Sequence, residues 1–119
     1  MFKILLYLYS FVGNPQVLTL IINSQIGIAT TFWAVDDPGN PNNYASCLHK
    51  TLDDNELVIA HPTLPCKSSV LLYNLRTGHL VKAIVGDRGP RHALVDLSLG
   101  TAKSLHANGF EEIVLIPLK

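Results

Sequence analysis

Side chains able to move protons stand at three places where apolar runs stop. His61 follows Val58-Ile59-Ala60, Asp87 follows Ala83-Ile84-Val85-Gly86, and Asp96 sits inside Leu94-Val95-Asp96-Leu97. A carboxyl group at the end of an apolar strand, among Gly and Pro, is held partly out of water. Desolvation disfavours the charged form of an acid, and this suits one group to both give and take a proton near neutral pH. The same positions also suit structural work. Asp87 can accept backbone N–H groups from the tight Arg88-Gly89-Pro90 turn, Asp96 can anchor the start of a helix two residues ahead of Ser98, and His61 before Pro62 can be a satisfied polar residue. Residue types alone leave both readings open.

Other chemistry lacks its residues. The chain has no GxSxG, Walker loop, GxGxxG or HExxH, and no N-x-S/T sequon. His49, His79, His92 and His106 show no ligand spacing, and nothing in the sequence demands a metal or an organic cofactor. Cys47 and Cys66 do not form a CxxC. In an oxidising compartment they would close a loop of about twenty residues, worth roughly 3 kcal/mol in the chain-entropy model; otherwise they are two buried thiols.

These candidates need a scaffold, and 119 residues suffice for one domain with one modest core. Only 15% of residues are charged and apolar residues make up 48%, which excludes disorder. Nine Lys/Arg balance nine Asp/Glu, so the surplus of positive charge that nucleic acid or an anionic membrane requires is missing. Residues 1–25 read as a hydrophobic leader: Lys3, then the run from Ile4 to Val12, with the length of a signal-peptide core and too short to span a bilayer. Any membrane association would come through that leader.

From Gly27 onward, short β-type runs alternate with turn formers. Strands are expected at Ile28 to Ala34, Leu57 to Ala60, Ser69 to Leu75, His79 to Val85, Ala93 to Leu97 and Glu112 to Leu118, with a hairpin at Arg76-Thr77-Gly78. Residues 36–43 can only be loop. One helix is expected, N-capped by Ser98, carrying Leu99, Ala102 and Leu105 on one face and stopped at Asn108-Gly109. This pattern predicts a small, mostly-β barrel.

Four ordered segments carry a family resemblance: Ala60-His61-Pro62-Thr63-Leu64-Pro65-Cys66, Val70 to Gly78 with its Asn74-Leu75-Arg76-Thr77-Gly78, Asp87-Arg88-Gly89-Pro90, and Asp96-Leu97-Ser98 followed by Ala102-Lys103-Ser104-Leu105. With the opening Gly27-Ile28-Ala29-Thr30-Thr31-Phe32-Trp33, they resemble the RlpA-like (rare lipoprotein A) double-psi β-barrel domain across residues 27–118. The resemblance implies a six-stranded double-psi β-barrel with one or two short helices, occupying residues 26–119. It implies action on peptidoglycan glycan strands, with no nucleotide or nucleic-acid partner. Enzymes of that kind are lytic transglycosylases, which cleave between N-acetylmuramic acid and N-acetylglucosamine and leave a 1,6-anhydro end.

By the same resemblance Asp87 takes the acid/base role, His61 orients or polarises substrate, and Asp96 holds the site. Trp33, Tyr44 and Arg88 would bind substrate. Members with L-P-C commonly carry a second upstream Cys, as in Cys47 and Cys66, which implies a disulfide and an exported location, periplasmic, secreted or wall-associated, or encoded by a phage. The chain departs from the family pattern at three places. Residues 45–54 contain no Glu, Lys67 stands where a Gly usually follows Cys66, and the loop Arg91-His92-Ala93 is short. A non-catalytic, expansin-like wall-binding module and a structural barrel of a larger assembly are therefore the rival expectations.

Overall fold

A computed structural model of the chain describes residues 23–32 and 44–118. The expected leader up to residue 22, Trp33 and the loop at 36–43 lie outside the described residues.

Among the described residues, eight strands and one helix follow in order: β1 (Gln25–Thr31), β2 (Tyr44–Ala45), β3 (Lys50–Thr51), β4 (Val58–Ala60), β5 (Ser69–Asn74), β6 (Leu80–Asp87), β7 (Val95–Leu97), α1 (Leu99–Ser104) and β8 (Glu111–Pro117). Six of the strands close into a barrel in the order β1-β7-β4-β6-β5-β8. Closure pairs each of these six strands on both sides and leaves the barrel without an edge. β1 runs parallel to β7, and β4 parallel to β6; the remaining barrel pairings are antiparallel.

Alternation along the strands fills the barrel. In β5, Val70 and Leu72 are buried at every second position; in β6, Val81, Ala83 and Val85 repeat the pattern. They meet Ala29, Ile59, Val95, Leu97, Ile113 and Leu115 inside, and Ala102 and Leu105 join them from the helix. The helix is fastened where its sequence says it should begin. Ser98 Oγ accepts the Thr101 N–H and donates to the Glu56 carbonyl at 2.8 Å. Gly100 permits that close docking, because a Cβ there would lie 2.6 Å from the Glu56 oxygen.

Two elements differ from the sequence expectation by three or more residues. The first strand begins at Gln25, not Ile28, and ends at Thr31, because its pairing with β8 runs back to Gln25 opposite Leu115. The helix stops at Ser104, short of Asn108-Gly109: His106 adopts the left-handed conformation at φ 52°, and the Ala107 N–H bonds to the Ala102 carbonyl. The structure also adds the two-stranded flap β2–β3, which the sequence reading did not foresee. Its Ala45 and Leu52 pack on Val58 over the outside of the barrel, with Phe32, Leu48 and Ile84 around them.

Candidate active site under the flap

β4 lies between β6 and β7, so its register decides what meets on the barrel surface. Ile59 pairs with Val85 and with Leu97, all inside the core. One residue later the register shifts, and Ala60 pairs with Asp87, leaving Gly86 as the extra residue of a bulge. Strict alternation after Val85 would send Asp87 into the barrel; the bulge returns it to the outer face. Ala60 also pairs with Asp96, and Asp96 with Thr30. One outer row therefore reads Asp87, Ala60, Asp96, Thr30, with the two carboxylates separated by two strand spacings, about 10 Å of backbone.

Asp87 is half-buried, and its two oxygens are treated differently. Oδ1 accepts the Ser46 hydroxyl at 2.6 Å and the Arg88 N–H at 2.8 Å. Oδ2 accepts no hydrogen bond from the described residues. Ser46 arrives with the flap, which is held twice: the Cys47 N–H donates to the Gly86 carbonyl at 2.9 Å, and Cys47 forms a disulfide with Cys66 in the loop after β4. Gly86 is required for that seat, since a Cβ there would come within 2.4 Å of Val58 Cγ1. On the other side of Ala60, Asp96 Oδ1 accepts the Thr30 hydroxyl at 2.8 Å.

His61 does not open into a groove with Asp87. The residue is 2% exposed. Nδ1 accepts the Thr63 and Leu64 N–H groups at 3.1 and 3.0 Å, which leaves the proton on Nε2, facing Gln25 Oε1 at 3.1 Å. Burial, reinforced by the Arg88 guanidinium, holds its pKa below the usual histidine value, so the ring is neutral at neutral pH. The Arg88 side chain is likewise engaged. Nη1 donates to the carbonyls of His61 and Leu64, and Nη2 approaches Cys66 Sγ at 3.4 Å. Both residues thus tie down the segment 61–66 that carries the disulfide.

Tyr44 is 43% exposed at the start of the flap, and Trp33 lies outside the described residues. Ser46, Thr30, Gln25 and Gly86 escaped the sequence reading; only Gly86, a glycine between an apolar strand and an acid, left a signal. Among the described residues no three His, Cys, Asp or Glu side chains gather as metal ligands. Chemically, the arrangement offers one carboxyl group with an anchored oxygen and an open one.

No protein-family model matches the chain, but individual proteins do. It is 33% identical over 100 residues to the endolytic peptidoglycan transglycosylase RlpA of Yersinia pestis, covering 82% of this chain and 25% of that protein. Against the protein of the same name from Escherichia coli it is 28% identical over 97 residues, with 80% and 25% covered. In structure, 81% of the chain superposes on half of an expansin of Clavibacter michiganensis, solved as a mutant with cellohexaose, at a TM-score of 0.60 and 15% identity. The same share superposes on 94% of the Streptomyces papain inhibitor at 0.57 and 21%. The chain is an RlpA-like double-psi β-barrel.

This RlpA-like barrel spans about a quarter of the length of the curated relatives it matches. Its fold and its Cys47–Cys66 disulfide agree with the sequence expectation. Asn74 and Thr77 of the RlpA-like Asn-Leu-Arg-Thr-Gly segment have a structural job, since both bond the Leu105 carbonyl at the end of α1.

Proposed function

We propose that this barrel is a peptidoglycan lytic transglycosylase in which Asp87 is the sole acid/base. The observation that carries the reading is the asymmetry of Asp87: Oδ1 is fixed by Ser46 and Arg88, while Oδ2 accepts nothing from the described residues. Protonated, Oδ2 gives its proton to the glycosidic oxygen as the bond to C1 breaks. As carboxylate it then takes the proton of the same sugar's 6-hydroxyl, whose oxygen closes on C1 and leaves the 1,6-anhydro end. The nucleophile comes from the sugar itself, so the second, closely placed carboxylate of retaining glycosidases is not needed. Asp96, hydrogen-bonded by Thr30, holds the far side of the row. His61 and Arg88 act as positioning residues that fix the 61–66 segment behind the flap, and Tyr44 borders the substrate path.

The relatives' name, endolytic peptidoglycan transglycosylase, supports the substrate and the reaction. The disulfide supports a location outside the reducing cytoplasm. A rival reading, wall-polysaccharide binding without cleavage, is favoured by the closed His61, which leaves the site with one half-buried acid beside the flap. Digestion of purified glycan strands followed by mass analysis separates the two: anhydro-muramyl products support cleavage, and intact strands support binding alone.

A further inference from the structure

The outer row of the barrel continues past Asp96 into a cavity. Thr30, whose hydroxyl bonds Asp96, lines it together with Thr31, while Leu99, Ala102 and Lys103 of α1 and Phe110 of the loop before β8 close the other sides. Its volume is about 330 Å³, at the small end of ligand sites, which run from about 300 to 1,000 Å³. Of its lining residues, Lys103 and Phe110 are exposed. Phe110 is 80% exposed at the cavity lip, although a large aromatic side chain gains little from standing in water. The Lys103 ammonium has no hydrogen-bond or ion-pair partner among the described residues.

An apolar floor, an aromatic face at the lip, two hydroxyls on the side nearest the carboxylates and one uncommitted cation form a particular set. The C–H face of a pyranose stacks on an aromatic ring, its hydroxyls pair with Thr30 and Thr31, and an acidic substituent pairs with the ammonium. Neutral sugars would leave Lys103 unused. We propose that this cavity is a remote glycan subsite for a sugar residue bearing a carboxylate, with the ring against Phe110 and the acid on Lys103. The identity of that sugar rests on the peptidoglycan reading: in that polymer the acidic residue is N-acetylmuramic acid, whose carboxylate belongs to its lactyl ether or, once amidated, to the stem peptide. The subsite lies three strand spacings along the row from Asp87, about 14 Å, so it contributes binding energy away from the scissile bond.

Titration calorimetry on the full chain tests this with three ligands of equal length: a peptide-free muramyl oligosaccharide, its peptide-bearing form, and a neutral N-acetylglucosamine oligomer. Wild-type protein is expected to bind at least one acidic ligand about fivefold more tightly than the neutral one, and which acidic form is preferred identifies the source of the carboxylate. Lys103→Gln removes the preference without weakening the neutral ligand, whereas Phe110→Ala weakens all bound ligands, by about tenfold. Equal affinity of the wild type for acidic and neutral ligands, or a preference that survives Lys103→Gln, overturns the subsite. Cleavage of glycan strands alongside such a result would leave the transglycosylase reading standing. An acid preference lost in Lys103→Gln, with no cleavage, would keep the subsite and remove the enzyme.

Discussion

Ser46 reaches Asp87 across 41 positions of sequence and donates its hydroxyl proton to Oδ1 at 2.6 Å. The contact exists because the flap is pinned immediately beyond it, by the Cys47 N–H on the Gly86 carbonyl and by the disulfide to Cys66. One oxygen of the acid is thereby held against the protein, and the other accepts no hydrogen bond from the described residues.

Removing that hydroxyl should therefore disturb rate more than binding. Ser46→Ala is expected to lower kcat, by up to ~100-fold if the carboxyl group rotates away from its productive position, with little change in KM and in thermal stability. Steady-state kinetics on glycan strands check this. A proportional rise in KM with kcat intact would assign Ser46 to substrate binding.

The disulfide both stabilises the chain and seats the flap. It closes a loop with a sequence separation of 19, so its removal should cost about 3 kcal/mol. That amounts to a fall in Tm on the order of 12–20 °C for a domain of this size. Calorimetry with and without reductant, and on the Cys47→Ser/Cys66→Ser double variant, gives the figure. Activity should fall at temperatures where the reduced protein is still folded, because the flap then keeps only non-covalent anchors, the Cys47 N–H on the Gly86 carbonyl and the packing of Ala45 and Leu52 on Val58.

Gly86 offers a steric test of the same arrangement. A methyl group there would lie 2.4 Å from Val58 Cγ1 and 3.1 Å from Leu48 Cδ1. Gly86→Ala must therefore lift the flap or shift β4, at a cost of about 1–3 kcal/mol. Loss of activity larger than that of Ser46→Ala is expected, since the bulge that turns Asp87 outward is disturbed as well.

Much of the barrel is legible in the sequence because its strands are apolar at alternate positions and are separated by Gly, Pro and Asn. Val70 and Leu72 in β5 and Val81, Ala83 and Val85 in β6 could be read directly. The flap could not be. Tyr44–Ala45 and Lys50–Thr51 are two residues each, too short to show a period, and what holds them is long-range: the packing of Leu52 and Ala45 on Val58, and a disulfide. The site divides in the same way. Asp87 was visible at the end of its strand. Its outward direction depends on the register shift opposite Ile59 and Ala60, which no local pattern encodes. The burial of His61 was not legible either, because nothing near it in sequence announces Gln25 as the partner of Nε2.

Stability should decline in two steps as the solution is acidified. The folded-state pKa of His61 lies below its ordinary value of 6.5 because of burial and Arg88. Its stabilising effect is whole above pH 6.5 and is lost below it, as the unfolded chain takes up a proton that the folded chain refuses. Glu111 is held below its ordinary value of 4.5, chiefly by the Arg76 hydrogen bonds, so its contribution is present above pH 4.5 and disappears as the pH falls through the lowered value. Tm measured from pH 8 to 3 should show both declines. His61→Gln should be less stable at pH 7 and lack the first decline; if that decline persists unchanged, another group is responsible.

The central claim is that Asp87 alone moves the protons of bond cleavage. Incubating purified glycan strands with the wild-type protein and with Asp87→Asn, then quantifying products by mass spectrometry, tests it most directly. The account predicts anhydro-muramyl fragments from the wild type and essentially none from Asp87→Asn, with both proteins folded to the same Tm within a few degrees. Equal yields of those fragments from the two proteins would contradict it.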